Sequence, residues 1–152
     1  MKRPFPHAIL LLFTVMSIAT YAQNELIAKP AQFASLPDRI SCSPSDLNSA
    51  FSVVSDQPVR FYFSNDFTFT GTVISNVYKY SNLQTVIIKS SLFGDAIFSL
   101  SKITNKDNSI NYVGRIINKK YFDGYQLKRD ASNNYQFVKI ETDKVIQDCS
   151  HN

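Results

Sequence analysis

Between Val59 and Ile140 apolar and polar residues alternate with a period of two. Phe61 and Phe63 alternate with Tyr62 and Ser64, and Phe67, Phe69, Gly71 and Val73 alternate with Thr68, Thr70, Thr72 and Ile74. Alternation of this kind puts the four phenylalanines on one side of two extended strands and mostly hydroxyl residues on the other. Asn65-Asp66 between the two runs suits a tight hairpin, because both residue types tolerate the left-handed backbone such turns demand. Further strands are expected at Leu83–Ser90, Ala96–Ile103, Ile110–Ile117, Tyr125–Arg129 and Tyr135–Ile140. They are separated by Gly94-Asp95 and by the turn-rich stretches TNKDNS, NKKYFDG and DASNN.

Seven strands on short connections predict a mainly β chain, an antiparallel meander curled towards a partial barrel. Val86-Ile87-Ile88 is apolar on both parities, so a two-sheet sandwich is the alternative. The four phenylalanines read as core. Each buried Phe side chain contributes about 2 to 3 kcal/mol, and exposing all four would forfeit much of the stability of so small a domain. Gly71 interrupts the apolar file and marks either a bulge or a close approach of two backbones.

Upstream, the period changes. In SPSDLNSAFSVV, Ser43 is a natural N-cap, Pro44 fits the first helical position and Asp46 stands where a capping-box acid belongs. Leu47, Ala50, Phe51 and Val54 follow the spacing of one helical face. A short amphipathic helix over 44–54 is therefore expected against the apolar face of the sheet, ended by Asp56-Gln57-Pro58. Residues 23–40, interrupted by Pro30 and Pro37, read as an extended lead-in to a single β-rich domain over 41–152. The closing TDKVIQDC fits a helical turn capped by Thr142 or a last strand equally well.

The opening MKRPFPHAILLLFTVMSIATYAQ has a basic start, a short apolar run and small residues at a cleavage position, the pattern of a secretory signal peptide over residues 1–22. Twelve apolar residues, Ala8 to Ala19, fall short of the roughly 20 a membrane-spanning helix needs. Secretion, to the periplasm or beyond, is the expected location. Without Lys2 and Arg3 the 16 basic residues become 14 against 12 acidic, a net charge of +2. That is too weak to argue for a polyanionic partner such as nucleic acid.

In that compartment Cys42 and Cys149 are expected to form a disulfide. Closing a loop of about 107 residues would stabilise the fold by about 4 to 5 kcal/mol in the chain-entropy picture.

Chemistry is sparse. After cleavage one histidine remains, His151, so neither a Ser-His pair nor a zinc site has its ligands. No phosphate loop, nucleophile elbow or H-E-x-x-H motif occurs. Asp95, Asp123 and Glu141 are carboxylates without distinctive spacing. No enzyme activity and no cofactor are expected.

What is left is recognition chemistry. Tyr62, Tyr78, Tyr80, Tyr112, Tyr121, Tyr125 and Tyr135 are spread through strands and turns, and tyrosine among Asn, Ser and Thr gives large contact area at low entropic cost. In GRIINKKYFDGYQLKR, basic Arg115, Lys119, Lys120, Lys128 and Arg129 surround the single acid Asp123, with rings interleaved. The candidate interaction surface is Lys119, Lys120, Tyr121, Tyr125, Lys128 and Arg129.

The succession FTFTGTVISN, LQTVIIKSS, AIFSLSKI, INYVGRII and GYQLKR, covering about Phe67 to Ile140, resembles small β-rich segments of secreted bacterial proteins, some of which accompany extracellular metallopeptidases as prodomain-like modules. The resemblance lies in strand order and G-x-[IV] texture and implies a partner such as a peptidase domain, with no functional residue to carry over. The expected function is a secreted, non-catalytic module that binds another secreted or cell-surface protein. The alternative is a carrier of a small ligand or glycan inside a curled sheet.

Overall fold

A computed structural model describes residues 29–147 except Asp66. The expected signal peptide, Cys149 and His151 lie outside the described residues. Eight strands form one antiparallel sheet: β1 (Arg39–Cys42), β2 (Pro58–Ser64), β3 (Phe67–Tyr80), β4 (Leu83–Ser90), β5 (Ile97–Thr104), β6 (Ile110–Ile117), β7 (Asp123–Arg129) and β8 (Tyr135–Glu141). Two short helices flank them, α1 (Pro44–Ser49), continued by a 3-10 turn over Ala50–Ser52, and α2 (Thr142–Gln147).

The strand order β1-β8-β7-β6-β5-β4-β3-β2 is a meander from β2 to β8, with β1 added beside β8. The two end strands, β1 and β2, come together without pairing, so the sheet is a nearly closed barrel and not a sandwich of two sheets. β1 falls at the end of the expected lead-in. Its four residues pair with β8 in the register Ile40↔Phe137, a partner almost a hundred positions away.

β3 runs on to Tyr80 through register shifts at Val73/Ser75 and Tyr78/Tyr80. Gly71 marks a close approach and not the bulge itself. A Cβ there would lie 2.3 Å from the Lys89 carbonyl oxygen, inside the pairing of Gly71 with Ser90.

Through the middle of the barrel the inward parity of the strands is mainly apolar, and the opening phenylalanines lie within it. Phe61, Phe63, Phe67 and Phe69 are all buried, together with Phe98, Leu100, Ile116, Tyr125, Leu127 and Phe137. Their rings interlock across the barrel. Phe63 meets Phe137 edge-on at 5.0 Å between centroids, and Phe69 meets Phe98 at 5.4 Å, the geometry that ring quadrupoles favour.

Each mouth of the barrel has its own stopper. At one end Ser43 caps α1, its hydroxyl accepting from the Asp46 N–H at 3.1 Å while the Asp46 carboxylate accepts from the Ser43 N–H at 3.3 Å. This reciprocal box fixes a helix too short to hold itself. Leu47, Ala50 and Phe51 are buried beneath it, and Phe51 stacks on Tyr112 at 6.2 Å. Asn76 secures the turn by donating to the carbonyls of Phe51 and Val53. The helical segment thus sets Leu47, Ala50 and Phe51 against the apolar interior at one end of the barrel.

At the other end residues 29–38 form a strap. Phe33 is fully buried and touches Phe93 and Tyr125 at 5.3 and 5.2 Å. The strap's backbone is held by side chains of β7 and β8. Asp123 accepts from the Gln32 and Phe33 N–H groups at 2.6 and 2.8 Å, Tyr125 donates to the Pro37 carbonyl at 2.6 Å, and Lys139 donates to that of Leu36 at 2.7 Å.

Candidate interaction surfaces

The residues grouped from sequence as an interaction surface are not brought together in one patch. Lys119 and Lys120 are exposed in the β6–β7 connection, beside the strap. Lys128 and Arg129 lie at the far end of β7, so the two pairs are separated by roughly 20 Å at about 3.3 Å of rise per strand residue. Arg129 sits over the Tyr135 ring at 5.8 Å, near the opposite mouth.

Tyr125 is a correction in kind. Its parity on β7 turns it inward, it is fully buried, and its hydroxyl is spent on the strap. Burial, with Asp123 and then Asp38 nearby, pushes its phenol up to about 12. Tyr121 is half-buried, and its carbonyl accepts from the Thr142 hydroxyl at 2.8 Å. Tyr112 and Tyr135 are also internal, in edge-on contact at 5.5 Å.

The carboxylates are equally committed. Asp123 holds the strap, and Asp95 and Glu141 pair with Lys89 and Lys144 at 3.2 and 3.0 Å. Among the described residues, no three His, Cys, Asp or Glu side chains gather as metal ligands. No helix among them is long and apolar enough to cross a membrane.

The Cys42 thiol points into the barrel and is buried. Burial, reinforced by the Asp46 charge, pushes it up to about 12, which leaves it a weak nucleophile at neutral pH.

Exposed chemistry concentrates on the outer face of β3–β6. Register aligns Val77, Thr85, Ser101 and Val113 in one row across four strands, and Ser75, Ile87, Ser99 and Arg115 in the next. Val77 and Val113 are 47% and 51% exposed. Tyr78 and Tyr80, 72% and 71% exposed, stand at the tip of the β3–β4 hairpin.

Beside this face α2 folds back over the barrel. Val145, Val113 and Ile140 wall a hollow of about 190 Å³ whose lining also includes Ser99, Ser101, Gly114, Arg115 and Gln126. Of the larger hollows, two grooves of about 600 and 550 Å³ are also external. One runs along Ala31, Arg39, Phe122, Val138 and Ile140, and the other along Cys42, Pro44, Phe63, Asn134 and Tyr135.

Sequence reasoning missed the outer face because Val77 lies on β3 and Val113 and Arg115 on β6, and only the register through β4 and β5 brings them to one side of the sheet. Their class of architecture is an aromatic-filled, nearly closed antiparallel barrel with stoppered ends and a partly apolar outer face. Comparison with protein families, with curated proteins and with solved structures finds no match for the chain.

Proposed function

We propose that this protein is a secreted, non-catalytic interaction module that binds another protein, in the manner of a prodomain-like partner of an extracellular enzyme. The observation that carries the reading is the division of the molecule into a filled interior and a partly apolar exterior. Phe61, Phe63, Phe67 and Phe69 occupy the space a carrier would need for its ligand, with neighbouring rings 5 to 6 Å apart. That packing weighs against the carrier reading, since ligand sites are concave and largely preformed. Outside, Val77, Val113, Tyr78 and Tyr80 remain uncovered, the residue types from which protein interfaces draw their contact area.

Export follows from the basic and apolar opening, and in that compartment Cys42 and Cys149 pair. The intact mass of the exported protein should show loss of residues 1–22 and of two hydrogens. An uncleaved chain, or two alkylatable thiols after denaturation without reductant, would refute this part.

The binding function is tested by immobilising the exported domain in its native secretome. One control carries alanine at Lys119, Lys120 and Tyr121, and another carries alanine at Tyr78 and Tyr80. A specific protein should be enriched and should be lost on at least one control. Enrichment of nothing, or turnover of a substrate by the domain alone, overturns the reading.

A further inference from the structure

Among the described residues, the outer face of β3–β6 lacks its own counter-charge. None of the outward positions on these strands, from Val77 and Tyr80 through Thr85, Ile87, Ser99, Ser101 and Ile103 to Val113 and Arg115, carries a carboxylate. Lys89 at the rim is paired with Asp95 at 3.2 Å, whereas Arg115 has no ion pair among the described residues. Among the described residues, the carboxylates beside α2 are engaged elsewhere, Asp143 with Lys29 at 2.5 Å and Glu141 with Lys144 at 3.0 Å. The hydroxyls on the face satisfy each other, Thr85 and Ser101 lying 2.9 Å apart, so covering them leaves few polar groups stranded.

We infer that this face docks a different protein, one that inserts an apolar side chain into the hollow between Val145 and Val113 and sets a carboxylate against Arg115. The inference rests on the reading of the chain as an interaction module. Apolar anchors in small pockets and arginine are the usual energetic centre of an interface. A guanidinium flanked by apolar surface pairs with a carboxylate in two-point geometry. A second copy of this chain is disfavoured because its equivalent face brings arginine to arginine with no acid on these strands in either. Nucleic acid would require a cluster of cations, whereas Lys79, Lys89 and Arg115 are spread over three strands and Lys89 is already paired with Asp95.

The probe is a library of random dodecapeptides displayed on phage and selected on the exported protein. Selected sequences should carry Asp or Glu beside aliphatic or aromatic residues. Val113→Asp and Arg115→Glu should each weaken their binding at least tenfold while circular dichroism and thermal midpoint stay unchanged. Reselection on Arg115→Glu should turn the preference to Lys and Arg. Failure to select peptides, absence of carboxylate enrichment, or binding indifferent to both substitutions overturns the inference, as does self-association in sedimentation that Arg115→Glu abolishes. If a secretome protein is captured equally by wild type and both variants, this face is wrong while the interaction reading stands.

Discussion

At the scale of single residues, what decides a role is which way the side chain points. Tyr125 and Tyr80 are chemically identical, yet one ties the strap to the core and the other stands 71% exposed at a hairpin tip. The raised Tyr125 phenol has a measurable consequence. The unfolded chain loses this proton near pH 10 while the folded chain keeps it to about 12, so above pH 10 the unfolded state binds fewer protons and stability falls. Urea melts between pH 8 and 11.5 should show a steeper loss in wild type than in Tyr125→Phe. At pH 7 that variant should be less stable by about 1 kcal/mol, the usual worth of one hydrogen bond. Identical slopes would mean that the phenol is not held as described. Gly71 is the second test. With the Lys89 carbonyl oxygen 2.3 Å from where a Cβ would sit, Gly71→Ala must push β3 from β4 and should cost about 1 to 3 kcal/mol in denaturant unfolding.

At the scale of elements, the sequence was most readable where chemistry is local. The Ser43–Asp46 box is written in four adjacent residues and is formed in the structure. The turn signals correspond to left-handed backbone at Gly94, Asp95, Asn108 and Asn133, the residue types that pay least for it. Alternation placed the inward phenylalanines because strand parity needs no partner to be read. Long-range pairing leaves no such local mark. β1 owes its existence to β8, and Asp123 became a structural clamp because the strap crosses its end of β7. The residues of the expected interaction hairpin are split for a related reason, since residues close in sequence along an extended strand are carried to opposite mouths. Asp46→Ala removes half of the capping box and should destabilise the domain by about 1 kcal/mol. Thermal unfolding followed by circular dichroism checks this, and an unchanged midpoint would show that α1 is held by Leu47 and Phe51 alone.

At the scale of the whole molecule, a nearly closed barrel has a problem that its strands cannot solve, because both mouths expose the edges of an aromatic core. The chain answers with two irregular segments, Leu47 to Phe51 at one mouth and the strap bearing Phe33 at the other. The strap contributes one fully buried ring, while its backbone is anchored through Asp123, Tyr125 and Lys139. These anchors hold the strap in place after truncation of its ring. Phe33→Ala should therefore leave a cavity against Phe93 and Tyr125 instead of a collapsed site, and such cavities cost about 3 to 5 kcal/mol. Lys119→Ala, exposed in the loop beside the strap, should stay within about 0.5 kcal/mol of wild type. Urea unfolding of the two variants side by side separates a stopper from a mere lead-in. If Phe33→Ala matches Lys119→Ala, residues 29–38 contribute nothing to closing the barrel, and the fold is held by its strands and α1.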